Sequence, residues 1–238
     1  MEKIKIFLFL LVLLFLDFLR PWGNIFYTEF LLLGIIFISF IIAICIYPQM
    51  PERMASHWNA QGQVDGYISK FWGLFLMPIL TLLIFLLLIA IPKIDPLKQN
   101  IDKFRKYYDG FVILIVVYMF YVYLLTLLWN TGVRFSIIQP LMPAMGILFY
   151  YIGILVENAK RNWSIGIRTP WTLSSERVWE KTHKIGGKLF KIAGIIAFIG
   201  VFFQKYAAFF ILIPVISVTV YTIVYSYFEY QRETKQTI

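Results

Sequence analysis

Two small groups of polar residues in this chain could carry chemistry. Glu180 and His183 are three positions apart, so a helix would present both side chains on one face. A carboxylate beside an imidazole could act as an acid–base pair. His57, Asn59 and Asp65 lie together in another short polar stretch, where they could recognise a ligand or contribute to a metal site. Either use depends on the elements that hold these side chains.

Neither group meets the requirements of a known metal centre. A zinc site needs three or four His, Cys, Asp or Glu ligands, and the stretch around His57 offers one His, one Asp and one Glu. A Glu-x-x-His pair in a di-iron bundle needs a second such pair and further Glu residues, which the apolar segments do not supply. We therefore expect no metal and no cofactor. The simplest interpretation is that His57 and Asp65 hydrogen-bond their own loop, with ligand recognition as the alternative.

The composition places these residues in a membrane protein. Of the 238 residues, 60% are apolar and 15% are charged, whereas soluble domains average about 45–50% apolar and ~25% charged. This excludes a cytosolic globular protein and a disordered chain. The net charge of +9 fits a multispanning protein whose Lys and Arg collect in cytoplasmic loops, so we expect no direct binding of nucleic acid.

Apolar segments of membrane-spanning length fill most of the chain. A helix needs about 20 residues to cross a ~30 Å hydrocarbon layer. A shorter segment, 4–19, is not followed by a small-x-small cleavage pattern, so we expect it to be retained, either spanning or lying in the interface. The six predicted spans are 25–47, 71–91, 110–129, 137–156, 189–203 and 207–228.

These segments predict an all-α integral membrane protein, a polytopic bundle of six to seven transmembrane helices with a cytoplasmic amphipathic helix. We expect three parts. Residues 1–24 form an N-terminal apolar segment, 25–109 a first membrane domain with the outer loop 48–70, and 110–238 a second membrane domain with the cytoplasmic loop 157–188.

The basic residues predict the orientation. Loops 92–108 and 157–188 hold five and seven Lys or Arg, and the C-terminal tail holds two, whereas the loops on the alternate side hold four together. Because Lys and Arg accumulate on the cytoplasmic side, we predict a multi-pass protein of the plasma membrane with a cytoplasmic C-terminus. Loop 48–70 is then outside. Its Pro, Asn and Gly residues predict a compact, ordered loop.

Loop 157–188 is the most distinctive part of the sequence. Pro170 favours an extended chain before it, and Thr172 or Ser174 is a predicted cap of the following helix. Arg168 is expected to pair with a lipid phosphate or with a carboxylate of the same loop, Glu176 or Glu180. A basic stripe on the helix is typical of a segment lying on anionic lipid headgroups. The stripe consists of Arg177, Lys181, Lys184 and Lys188.

Two stretches resemble the signatures of known families. The SdpI family of bacteriocin immunity membrane proteins has a signature similar to Gly166-Ile-Arg-Thr-Pro-Trp-Thr-Leu, followed by Val178-Trp179 and by Thr182-His183-Lys184-Ile-Gly-Gly. The outer loop, with its His57-Trp-Asn and Asp65-Gly-Tyr, resembles a short membrane domain of unknown function that usually precedes the SdpI region. The chain departs from the pattern in its segment 4–19 and in Val64, where the family often has Pro.

The resemblance implies a non-enzymatic membrane protein that gives resistance to an envelope-targeting peptide toxin. It also implies a receptor-like relay of the toxin's presence to a cytoplasmic regulator. The expected partners are thus the lipid bilayer, a toxin outside and a regulator inside. The candidate binding residues are His57, Trp58, Asn59, Gly62 and Asp65 in the outer loop and Gly166, Arg168, Thr169, Pro170, Trp171, Trp179 and His183 in the cytoplasmic loop.

Two other functions remain open. Prolines such as Pro78 and Pro214 within predicted spans could mark the broken helices of a small-molecule transporter. However, no ionisable residue lies near a predicted midplane, which argues against proton coupling. The third candidate is a membrane-embedded enzyme that uses Glu180 and His183, which requires both side chains to converge on one cleft.

Overall fold

The apolar segments form long helices, and one of the polar connections forms a β-hairpin. The computed structural model describes residues 25–203 and 206–236. The described residues from Leu32 onward belong to one compact unit, and those from Ile25 to Leu31 belong to another. In chain order the elements are α1 Ile25–Ile46, β1 Arg53–Trp58, β2 Val64–Ser69, α2 Lys70–Ile94, α3 Lys98–Asp102, α4 Arg105–Asn130, α5 Ile138–Asn158, α6 Pro170–Ser174, α7 Glu176–Ile199 and α8 Ala207–Gln236.

Within the described residues, six helices are long and apolar enough to cross a membrane: α1, α2, α4, α5, α7 and α8. This confirms the prediction of a polytopic helical membrane protein. Large apolar side chains point outward along these helices, as Leu87, Ile216 and Ile195 show with exposed fractions of 59%, 59% and 52%. Such surfaces are stable when lipid surrounds them. The predicted seventh segment, 4–19, lies outside the described residues.

Helix α7 differs most from its predicted span. It begins at Glu176 rather than at residue 189, so the predicted amphipathic helix and the predicted span form one continuous helix. Neither predicted cap residue starts it. Ser175 has an extended backbone that ends α6, and its Oγ accepts the Val178 N–H at 3.2 Å. Trp179 and His183 are buried, so one face of the first half of α7 packs against protein.

Helices α5 and α7 approach each other through glycines. A Cβ on Gly153 would lie 2.6 Å from the carbonyl oxygen of Gly187, and a Cβ on Gly194 would lie 2.6 Å from that of Gly146. Any side chain at these positions would force the two helices apart. Small residues therefore allow the close backbone contact on which the C-terminal half of the protein is built.

The connection between α1 and α2 forms an antiparallel hairpin, whose two strands are the β-strands of the described residues. Residues Arg53 and Trp58 of β1 pair with Ser69 and Val64 of β2. At the tip, the Asn59 Oδ1 accepts the N–H groups of Gln61 and Gln63, each at 3.0 Å. Gly62 has a φ of 77°, a left-handed conformation that suits glycine. We call residues 53–69 the hairpin.

Candidate functional site

The hairpin brings His57 and Asp65 into contact across its two strands. The His57 Nδ1 lies 2.5 Å from the Asp65 Oδ1, while 70% and 45% of the two side chains remain exposed. The loop therefore hydrogen-bonds to itself, which was the simplest interpretation of these residues. Asn59 and Gly62 shape the adjoining turn and complete a polar, accessible edge.

The opposite side of the hairpin is fixed to the end of α4. Asn130 Nδ2 donates to the Ala55 carbonyl at 3.0 Å, and Asn130 Oδ1 accepts the Ala55 N–H at 2.8 Å. Trp58 packs edge-on against Trp129 with ring centroids 5.7 Å apart. Met54 and Ala55 of β1 are both buried, and the Met54 side chain lies against Gly73 of α2. The hairpin is thus held on a rigid base while its polar edge stays open.

In the part of the chain that the structure describes, no three His, Cys, Asp or Glu side chains form a group that could hold a metal ion. His57 and Asp65 make a pair rather than a cluster. The chemistry available at this edge is therefore hydrogen bonding and charge recognition.

The second candidate region lies around residues 159–175, which we call the motif loop. His183 is buried beneath it, with 1% of its surface exposed. The His183 Nε2 accepts the Ile167 N–H at 3.0 Å, and because a backbone N–H only donates, this nitrogen carries no proton. Nδ1 holds the proton and donates to the Trp179 carbonyl at 2.9 Å. The imidazole is neutral, and both its nitrogens are engaged.

Gly166 allows the motif loop to pass directly over this imidazole. Its φ is 119°, and a Cβ at this position would collide with the His183 Nε2. Trp179 also binds the motif loop, because its Nε1 donates to the Ala159 carbonyl at 2.8 Å. Three of the predicted site residues, Gly166, Trp179 and His183, are therefore brought together as one packed unit.

Glu180 does not join this unit. Its side chain is 57% exposed and forms an ion pair with Lys160 at 3.3 Å, whereas His183 is buried. The two groups do not converge on a cleft. Glu180 forms an exposed ion pair and His183 a buried packing contact, so the two do not form the acid–base pair that their spacing suggested.

Thr169, Pro170 and Trp171 attach the motif loop to α8. Thr169 caps the short helix α6, with Pro170 at its first position. The Thr169 Oγ1 lies 3.0 Å from the Ser226 Oγ, and Trp171 packs edge-on against Tyr227 at 5.2 Å.

Arg168 and Pro170 are the two exposed residues among those predicted in the motif loop, and Arg168 is the charged one. One guanidinium N–H donates to the Trp163 carbonyl at 2.5 Å. The two carboxylates predicted as its partners bind elsewhere: Glu176 pairs with Arg161 at 3.5 Å, and Glu180 pairs with Lys160. Within the described ranges, Arg168 has no carboxylate partner.

Two buried polar residues that the sequence did not single out organise the motif loop. Asp95, 3% exposed, accepts the Ser164 hydroxyl at 2.6 Å and the Trp163 N–H at 3.0 Å. Asn162, fully buried, makes hydrogen bonds to the backbone at both ends of its own turn. An Asp-Pro pair directly after a span was the available signal for Asp95.

Comparison with known proteins shows that both regions match protein-family models. Residues 34–82 match a domain of unknown function, DUF1648, and residues 158–226 match the SdpI/YfhL protein family. The immunity protein SdpI of Bacillus subtilis (strain 168) is 28% identical over 199 residues, which cover 83% of this chain and 93% of that protein. No solved structure matches the chain.

The two matches coincide with the two structural regions. The first contains the whole hairpin, and the second contains the whole motif loop together with His183. The chain is therefore a multi-pass membrane protein in which a DUF1648 domain is followed by a domain of the SdpI/YfhL family.

Proposed function

We propose that this protein gives its cell immunity to an envelope-targeting peptide toxin. The observation that carries the proposal is the similarity to an immunity protein over 93% of that protein's length. This similarity extends across both domains rather than one motif. The proposed role is non-enzymatic, and the separation of Glu180 from His183 removes the support for a membrane-embedded enzyme.

The hairpin is the proposed contact with the toxin on the outer face. Its His57–Asp65 pair is exposed, and its other side is fixed to Asn130 and Trp129. A recognition surface on a rigid base loses little conformational entropy on binding. An exposed imidazole beside a carboxylate also offers both hydrogen-bond donors and acceptors to a peptide.

We propose that the motif loop faces the cytoplasm and relays toxin binding to a regulator. Helix α2 supports this idea, because it connects the two regions. Lys70, at its start, pairs with Glu52 beside the hairpin at 2.6 Å. Asp95, at its end, accepts hydrogen bonds from the motif loop. A displacement of the hairpin would thus reach the motif loop along one helix.

The test is survival of a toxin-sensitive host that expresses the protein during exposure to the peptide toxin of an SdpI-type system. We expect the wild type to protect and the variants His57→Ala and Asp65→Ala to protect less at equal membrane levels. Gln61→Ala is the matched control, since Gln61 is exposed at the hairpin tip and its side chain makes no hydrogen bond within the described residues. A wild type that fails to protect would refute immunity. Full protection by both variants would refute the hairpin as the contact.

A further inference from the structure

A cavity of about 470 Å³ lies among the helices at the end of the bundle that carries the motif loop. This volume falls within the range of about 300–1,000 Å³ that is typical of ligand pockets. The helices contribute mostly apolar side chains. The main apolar residues of the wall are Leu88, Ile91, Phe111, Ile152, Leu155 and Phe190.

The motif loop closes the polar end of this cavity with residues 164–169. Arg168 is the one Lys, Arg, Asp, Glu or His residue among the described residues that line it. Its guanidinium donates one N–H to the Trp163 carbonyl. Since a guanidinium has five N–H donors, most of them stay available. The cavity thus combines an apolar interior with a cationic residue that forms no ion pair with a described carboxylate.

The depth of the walls matches the outer part of a bilayer leaflet. Leu88 and Ile152 each lie six residues before the ends of their helices, Ile94 and Asn158. At a rise of 1.5 Å per residue, they lie about 9 Å below the helix ends. Arg168 is in the loop beyond those ends. The charge is therefore at the level of lipid headgroups, and the apolar walls descend into the hydrocarbon.

We propose that this cavity binds an acyl chain of an anionic phospholipid, whose phosphate is held by Arg168. The lipid's acyl chain would cover the apolar walls. Its phosphate would accept two hydrogen bonds from N–H groups of the planar guanidinium. A polar or charged solute would find no comparable partners on these walls. The site therefore differs from the polar midplane cavity that a small-molecule transporter would need. The proposal does not depend on immunity.

Binding can be measured on the full-length chain in neutral detergent by native mass spectrometry, with phosphatidylglycerol and phosphatidylcholine as probes. We expect the wild type to bind phosphatidylglycerol in preference to phosphatidylcholine. Arg168→Gln should weaken the binding of phosphatidylglycerol at least about tenfold, because a charge-assisted hydrogen-bond pair is lost. The matched control is Lys98→Gln, because Lys98 is exposed at the same end of the protein and does not line the cavity.

A second variant tests the cavity without changing its charge. Ile152→Trp would fill space between α5 and the opposite wall, so it should reduce the binding of both lipids while Arg168 is retained. This variant decides the question if Arg168→Gln fails to fold. Equal binding of both lipids by the wild type, unchanged binding by Arg168→Gln, or unchanged binding by Ile152→Trp would each overturn the proposal.

Discussion

The imidazole of His183 stacks on the indole of Trp179, with ring centroids 3.8 Å apart and ring planes inclined by 14°. The two residues are one helical turn apart in α7, and the His183 Nδ1 donates to the Trp179 carbonyl. The Nε2 faces away from α7 and accepts the N–H of Ile167. This pair is therefore a support on which the motif loop rests.

The first prediction concerns this support. His183→Phe retains an aromatic ring over Trp179 but leaves the Ile167 N–H without its acceptor. An unsatisfied amide in a partly buried site costs about 1–3 kcal/mol. We expect the midpoint of thermal unfolding in detergent to fall by several degrees, since 1 kcal/mol corresponds to about 2–4 °C in a chain of this size.

Glu180→Gln is the control for this prediction. It removes only an exposed ion pair with Lys160, which contributes at most about 1 kcal/mol. We expect its unfolding midpoint to stay close to that of the wild type. A large loss of stability in Glu180→Gln, or none in His183→Phe, would contradict the structural role of His183.

The second prediction separates backbone strain from steric collision at Gly166. A side chain in its conformation costs about 1–3 kcal/mol, and a Cβ would also strike the His183 ring. Gly132 provides the matched control, because its φ is 101° and a Cβ there would meet nothing within 4 Å. We expect Gly166→Ala to lower the unfolding midpoint clearly more than Gly132→Ala. Equal losses would mean that the motif loop does not lie against His183.

The third prediction compares two threonines that are both fully buried, Thr172 and Thr182. The Thr172 Oγ1 donates to the Ile167 carbonyl at 2.8 Å and accepts the Thr169 N–H at 2.9 Å. The Thr182 Oγ1 has no hydrogen-bond partner among the described residues. Thr172→Val should therefore destabilise by about 1–3 kcal/mol, and Thr182→Val should be neutral or slightly stabilising. Chemical denaturation of the two variants in detergent would measure the difference, and a reversed order would contradict these contacts.

The sequence predicts the spans and the two polar regions because those depend on local composition. Four of the six predicted spans agree with their helices to within about five residues at each end, whereas α8 starts as predicted but continues past residue 228 to Gln236. The span before residue 203 was too short, because the first half of α7 has polar residues whose burial depends on other helices. Hydropathy depends on residue type alone and contains no information about which helices pack against a residue.

The supporting contacts could not be predicted, because they join distant parts of the chain. Asp95 binds the Trp163 N–H across 68 positions, and Asn130 binds Ala55 across 75. A polar residue just beyond a span normally faces water, and nothing local distinguishes one that is buried. The family signature indicated Gly166 and His183 as candidate site residues, but their contact with each other is seen only in the structure.

The last prediction concerns the sides of the membrane that the two regions face. Helix α2 has 25 residues, and at 1.5 Å per residue it is about 37 Å long, enough to cross the hydrocarbon layer. The hairpin adjoins its start and Asp95 its end, so we expect these two regions to face opposite compartments. With Cys45→Ser as background, Gln61→Cys should react with an impermeant thiol reagent on intact cells, and Lys98→Cys only after permeabilisation. The opposite pattern would invert the proposed orientation and place the hairpin beyond the reach of an external toxin, and labelling of both on intact cells would show that α2 does not cross the membrane.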